Sequence, residues 1–192
     1  YQGYLKERAE SGAELIGDDS PDADAEMIAM VIDCLKTAGL KEFQVELGEV
    51  AFYRSLLLQS GLDEDAQTRL NELIENKNRF GVEEFLKNQN MEESLKEAFL
   101  KLPELFGGIS QIKKAKTLTH NPQALAAIER LERVHTLLEE YHMADYVSYD
   151  LGMLSRYQYY TGIIFKAYTY GTGDYIVTGG RYNKLLVQFG KD

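Results

Sequence analysis

The sequence predicts an α+β fold in which helices flank one antiparallel sheet assembled from distant segments, with a helical insertion between them. Three observations carry this reading. A well-signalled helix and an alternating strand open the chain. Charged residues and leucines then recur at helical periods through the middle. Aromatic and β-branched runs separated by glycine turns close it. The division that follows places a sheet-bearing core in segments 1–52 and 146–192, and a mainly helical segment with an inserted subdomain in 53–145.

The first 48 residues read as strand, turn, strand, helix, strand. Ser20 is the natural N-cap of that helix, Pro21 suits the first helical position, and Asp22 and Asp24 suit the positive end of its dipole. Ile28, Val31, Ile32 and Leu35 recur at helical spacing, and Gly39 stands where a left-handed C′ residue is expected. Cys34, the only cysteine, is expected at or near the core beside Ile32 and Leu35. Phe43 to Leu47 alternates apolar and polar, as a strand with one buried face does. In the middle, Glu92–Leu102 and Gln123–Glu140 read as helices, the second entered through Asn121-Pro122. Beyond Tyr146, strands are predicted over Tyr159–Tyr170 and Tyr175–Thr178, joined by the turn Gly171–Asp174. Gly179-Gly180 is read as a strand break, and Arg181–Phe189 as a helix.

Composition narrows the function. The chain has 192 residues, 44% of them hydrophobic, with 31 acidic against 21 basic residues and a net charge of −10. That balance opposes wide contact with nucleic acid, since phosphate binding rests on lysine and arginine releasing counterions. The one dense basic cluster, Lys113, Lys114 and Lys116, reads as a solvated helix face or loop. No apolar run reaches the ~20 residues that span a bilayer, and the first residues lack a signal-peptide pattern. We therefore expect a cytoplasmic protein that does not engage a membrane. With one cysteine, three histidines (His120, His135, His142) and no His-Glu-x-x-His pattern, neither zinc nor any other cofactor is expected.

Two segments carry the chemical signal. Asp150-Leu-Gly-Met-Leu-Ser-Arg-Tyr-Gln-Tyr-Tyr-Thr-Gly-Ile-Ile-Phe165 leads two tyrosines into a glycine and an apolar run. About a dozen residues later comes Thr178-Gly-Gly-Arg-Tyr-Asn-Lys-Leu-Leu186. On a strand, Tyr159 and Tyr160 would face opposite sides, one into a pocket and one behind it. Simple sheet packing explains a tyrosine pair equally well. Paired glycines, Gly179 and Gly180, permit a tight turn or a close approach to a ligand, and Arg181 and Tyr182 follow at once. A third element, Glu10-Ser-Gly-Ala-Glu-Leu-Ile-Gly17 followed by Ala23-Asp-Ala-Glu26, offers the carboxylate of Glu14. That carboxylate suits an ammonium or an imidazole N–H, and its bland alternative is a solvated strand residue.

In this order and at these separations, the three elements resemble histidyl-tRNA synthetase and the synthetase-like regulatory subunit of ATP phosphoribosyltransferase. The resemblance covers nearly the whole chain and implies a class II aminoacyl-tRNA synthetase-like fold. It also implies a histidine-like ligand pocket made by Glu14, Tyr159, Tyr160, Gly179, Gly180, Arg181 and Tyr182. Departures from the synthetase pattern cluster where its chemistry lies. Ser155 stands where the synthetase signature has an arginine, with Arg156 one residue along. Glu10 replaces a glutamine, Gln158 an aspartate, and Lys166 an acidic residue. Little room remains between Tyr4 and Glu14 for the long basic loop that embraces ATP and the tRNA end. Motif 1 and motif 3 are absent from this stretch, so a piece of a longer protein is expected.

These departures imply a non-catalytic regulatory subunit in the first step of histidine biosynthesis. As such it supports the activity and histidine feedback of a short-form ATP phosphoribosyltransferase catalytic subunit. The partners so implied are that catalytic subunit, a second copy in a homodimer within a hetero-oligomer, and histidine, with no tRNA. The alternatives are an active histidyl-tRNA synthetase, or a synthetase paralogue that binds another amino acid.

Overall fold

The chain's first helix is built as its local chemistry dictates. In the computed structural model, which describes residues 7, 9–154, 159–185, 187 and 190, helix α1 spans Pro21–Thr37. The Ser20 side chain caps it by accepting from the Ala23 N–H at 3.1 Å. Gly39 closes it at φ +89°, a conformation that a side chain would oppose. Its buried stripe of Ala25, Ile28, Ile32 and Leu35 faces the core. Cys34, by contrast, is exposed. At 100° per residue it points about 200° from Ile32, so its neighbours' burial did not extend to it.

Strand β1 (Phe43–Glu49) runs directly into α2 (Val50–Ser60). The helical middle continues with α3 (Glu64–Glu75), α4 (Arg79–Lys87) and α5 (Glu93–Lys101). The two-residue strand β2 (Phe106–Gly107), α6 (Ser110–Lys116) and α7 (Pro122–Glu140) follow. Asn121 caps α7 as expected, its side chain accepting from the Gln123 and Ala124 N–H groups at 3.0 and 3.1 Å. Strands β3 (Val147–Asp150), β4 (Ile163–Thr169) and β5 (Val177–Gly180) complete the described elements.

The sheet has the order β2-β3-β1-β4-β5. Its pairings are antiparallel except one: β1 lies parallel to β3, with Val45 opposite Val147 and Leu47 opposite Tyr149. The sheet is therefore mixed rather than wholly antiparallel. The cause is the long helical connection between β1 and β3, which returns the chain to the same end of the sheet. α1 and α7 pack together on one face, and α7 also packs against α2 and β1. Val45, Leu47, Phe165 and Ala167 from the sheet join Ile28, Ile32, Ile128, Leu131 and Val134 in one buried cluster. That cluster extends to Leu70, Ile74, Val82, Leu86 and Phe99 of the helical middle.

Several polar tethers join the helical middle to the sheet-bearing segments. Lys77, at φ +54° between α3 and α4, places its ammonium 2.5 and 2.6 Å from the buried Asp150 carboxylate at the end of β3. The lysine cluster forms a helix face as read: Lys113 and Lys114 are exposed, while Lys116 pairs with Glu132 of α7 at 2.8 Å. Among the described residues no helix is long and apolar enough to cross a membrane.

Three local expectations are corrected. Residues 9–19 form no strand, and the chain reaches α1 as an irregular segment. Tyr159 and Tyr160 precede β4 in a turn rather than lying on a strand. Gly179 and Gly180 do not break a strand; they are the last two residues of β5, opposite Phe165 and Ile164. Arg181 and Tyr182 leave the strand as irregular backbone and residues 183–185 form a turn, with the Leu185 N–H reaching the Tyr182 carbonyl at 3.3 Å. Much of the helix expected up to Phe189, and the positions Tyr4, Ser155, Arg156 and Gln158, lie outside the described residues.

Candidate ligand site

Side-chain alternation along the sheet sorts the two glycines of β5 onto opposite faces. Gly180 shares a face with Ile164 and Gly48, and a Cβ on it would stand 2.8 Å from Tyr160 ring atoms. Gly179 faces the core, where a Cβ would stand 2.4 Å from the Phe165 ring. Both positions need glycine because an aromatic ring presses close against the strand, not because the chain turns there.

On the Gly180 face, Tyr160 packs with Met153 and Ile164 in a small buried cluster that Val50, Tyr159 and Tyr182 border. The Tyr159 and Tyr160 rings lie 4.5 Å apart, and Tyr159 meets Tyr182 edge to face at 6.1 Å. Because both tyrosines sit in a turn, they stand side by side instead of on opposite sides. The turn is pinned from below, where Arg54 of α2 donates to the Tyr160 carbonyl at 3.1 Å. At the rim the Tyr182 hydroxyl donates to the exposed Glu14 carboxylate. The structure thus brings Glu14, Tyr159, Tyr160, Gly180 and Tyr182 into one neighbourhood, with Gly179 directly behind.

Arg181 occupies a different place from the one expected of a pocket cation. Its Nε donates to Asp24 Oδ1 at 2.7 Å. Its terminal nitrogens reach the carbonyls of Asp18 and Ser20 at 3.0 and 3.2 Å and the Asn183 side chain at 3.1 Å. The other oxygen of Asp24 accepts from Arg130 Nε of α7 at 2.6 Å. Asp24 is buried between the two guanidinium groups. The hydrogen bonds from Ser20, with help from these arginines, hold the Asp18 carboxyl below its ordinary range.

Beneath them Glu49, the last residue of β1, is 1% exposed. One carboxylate oxygen accepts from the Ala51 N–H at 3.0 Å, and the other has no hydrogen-bond partner among the described residues. Burial pushes its carboxyl up to about 8, opposed first by that backbone bond; the nearby Asp24 adds to the rise.

Sequence reasoning missed Asp24, Arg130 and Glu49 as parts of this neighbourhood, having read Asp24 as a helix-dipole carboxylate and as a member of the Ala23–Glu26 motif, with no partner of its own. A signal was present. Asp24 stands between Ala23 and Ala25, both buried, and small residues flanking a charge mark a tightly packed surface. Among the described residues, no cluster of three or more histidine, cysteine, aspartate or glutamate side chains is placed to hold a metal ion. What the arrangement offers chemically is a carboxylate paired with a phenol, beside a cluster of tyrosine rings packed at an angle to one another. Such a set suits the ammonium or ring N–H of a small amphipathic ligand.

A family model described as histidyl-tRNA synthetase matches residues 2–192, and the chain belongs to that family. Within it, the chain is similar to ATP phosphoribosyltransferase regulatory subunits. That of Acetivibrio thermocellus is 39% identical over 189 residues, covering 98% of this chain and 45% of that protein. That of Clostridium acetobutylicum is 41% identical over 192 residues, covering 99% and 47%. The chain spans about half the length of these curated relatives. A Bacillus halodurans crystal structure, described as an ATP phosphoribosyltransferase regulatory subunit/histidyl-tRNA synthetase, superposes with a TM-score of 0.84 at 34% identity. It covers 92% of this chain and 47% of that one. The fold is also shared with a chain of the ATP phosphoribosyl transferase (HisG:HisZ) complex from Thermotoga maritima, at a TM-score of 0.66 and 21% identity over 84% of this chain and 56% of that one.

Proposed function

We propose that this chain is part of a non-catalytic regulatory subunit of ATP phosphoribosyltransferase, acting in the first step of histidine biosynthesis. The single observation that carries the reading is identity near 40%, over almost the whole chain, to proteins bearing that name. On this reading the partner is a short-form catalytic subunit whose activity and histidine feedback depend on the complex. The protein works as a homodimer within that hetero-oligomer, in the cytoplasm and without tRNA. Its net charge of −10 supports a protein partner over RNA.

The ligand of the Glu14–Tyr182 site is then histidine. Glu14 takes a cationic or N–H group, and Tyr159, Tyr160, Gly180 and Tyr182 shape the surrounding wall. Gly179 and Arg181 support that wall from behind. In sequence, Ser155 stands where the synthetase signature has an arginine that supports adenylate formation; losing one preorganised donor costs roughly 10²–10³ in rate.

The test is co-expression of the full-length protein with a short-form catalytic subunit, followed by size-exclusion chromatography and assay of ATP phosphoribosyltransferase activity. Co-elution with partner-dependent activity is expected. Separate elution, together with histidine-dependent pyrophosphate exchange, would overturn the proposal in favour of an active synthetase. The family model and the Bacillus halodurans description keep that second reading in view.

A further inference from the structure

We infer that Asp24 is a positioning residue of the amino-acid site, acting through Arg181 on both members of the Glu14–Tyr182 pair. The inference rests on the reading of that site as a histidine pocket and adds the device that sets its geometry.

Glu14 and Tyr182 come from opposite ends of the chain, and Glu14 lies on a segment with no regular structure. Such a segment keeps a carboxylate in place only where something outside it holds its backbone. Arg181 supplies that hold. It immediately precedes Tyr182, and its backbone is locked to the turn before β4. The Thr161 N–H donates to its carbonyl at 2.7 Å, and its own N–H donates to the Ile163 carbonyl at 2.8 Å. Its guanidinium crosses to the Glu14 side and grips the carbonyls of Asp18 and Ser20. One side chain thereby links the segment bearing Glu14, the turn bearing Tyr159 and Tyr160, and the residue next to Tyr182.

Arg181 can do this only while its own orientation is fixed, and Asp24 fixes it. Asp24 is 7% exposed, and each of its oxygens takes one Nε, from Arg181 at 2.7 Å and from Arg130 at 2.6 Å. Arg130 braces the same segment by donating to the carbonyls of Asp19 and Ser20, both at 3.1 Å. A carboxylate between two planar guanidinium groups orients both, which a lysine ammonium would not require. Gly162 fits the scheme, since a Cβ there would press on the Arg181 stem at 3.2 Å.

The test uses full-length protein carrying Asp24→Asn, which keeps the shape and removes the charge. Two readouts separate the inference from the reading it rests on. Hydrogen exchange should rise across residues 14–20, and unchanged protection there would overturn the positioning role. Histidine affinity, measured by calorimetry, should fall by roughly tenfold or more, and Glu14→Gln added to Asp24→Asn should cost much less than it costs alone. Wild-type affinity in Asp24→Asn, or strictly additive losses in the double variant, would overturn the inference. Tyr53→Phe, which breaks the buried Tyr53–Asn71 hydrogen bond, should lose stability and keep affinity; a parallel loss of affinity would show that Asp24 acts only through stability and would overturn the inference. If Asp24→Asn does not fold, Arg181→Lys takes its place with the same expectations. Absence of histidine binding by the wild type would overturn the reading of the pocket, and hydrogen exchange would still decide whether Asp24 holds the segment.

Discussion

Gly180 packs directly against Tyr160, so close that a methyl group on the glycine would stand 2.8 Å from the ring. Since Tyr160 borders the candidate pocket and its carbonyl is pinned by Arg54, the ring cannot retreat without moving the turn. Gly180→Ala should therefore cost about 1–3 kcal/mol of stability by overpacking and weaken histidine binding as well. Gly179→Ala, which presses Phe165 on the core face, should cost stability by a similar amount with a smaller effect on binding. Denaturant titration and calorimetry on the two variants check this; equal binding losses would mean the two faces are not distinct.

The Tyr182 hydroxyl and the Glu14 carboxylate share a hydrogen bond at an exposed rim. Glu14→Gln should leave thermal stability almost unchanged, because surface groups contribute little. Its histidine affinity should fall by roughly ten- to a hundredfold, since a charge-assisted bond is lost. Tyr182→Phe should show a smaller loss of the same kind. Affinity unchanged in both variants, by calorimetry, would remove them from the site.

Glu49 gives a pH dependence whose sign can be worked out. Its carboxyl ionises near 4.5 ordinarily and at about 8 in the folded protein. Between those values the native state holds a proton that the unfolded state has released. This group's contribution is therefore fully present below about 4.5 and is lost as pH rises through about 8. Glu49→Gln mimics the neutral acid and can keep the bond to the Ala51 N–H. It should raise stability at pH 8 by something on the order of 1–3 kcal/mol, and have almost no effect at pH 4.5. Thermal unfolding of both proteins across this range is the measurement; parallel curves would contradict it.

Lys77 and Asp150 join the helical middle to the end of β3, and Asp150 also accepts from the Gly152 N–H at 2.9 Å. Asp150→Ala should destabilise the protein by about 1–3 kcal/mol, because a half-buried ammonium and a buried N–H lose their partner. Lys77→Ala should cost less than the aspartate change, since Asp150 would keep its backbone bond. Chemical denaturation of the two variants distinguishes the cases.

What could be read from the sequence was whatever local chemistry decides. Ser20, Pro21 and Gly39 bracket α1, Asn121-Pro122 opens α7, and alternation from Phe43 to Leu47 marks β1. Each signal acts within a few residues, so context had little chance to override it. Which motif residues would come together was more legible than how they would be arranged. Glu14, Tyr160 and Tyr182 could be named from their motifs. The turn before β4 could not, because Thr161 and Arg181 hold it through bonds between segments far apart in the chain. Gly179 and Gly180 looked like a break because glycine usually marks one; the rings of Phe165 and Tyr160 that require them lie on another strand. Asp24 gains its second role only when α7 and the end of β5 reach it.

The central strand has a consequence for the order of events during synthesis. β1 leaves the ribosome before both of its neighbours, β3 and β4, which are encoded beyond the entire helical middle. Val45 and Leu47 thus wait unpaired while α2 to α7 are made. For that interval both backbone edges of β1 and the apolar face carrying Val45 and Leu47 are uncovered, the condition under which nascent chains attract wrong partners. The early helices α1 and α2 cannot close it alone, because α7 completes the layer that covers the sheet. Translation speed between Val50 and Tyr146, and chaperone access during it, therefore bear on the yield of this protein more than on that of a chain whose strands pair as neighbours.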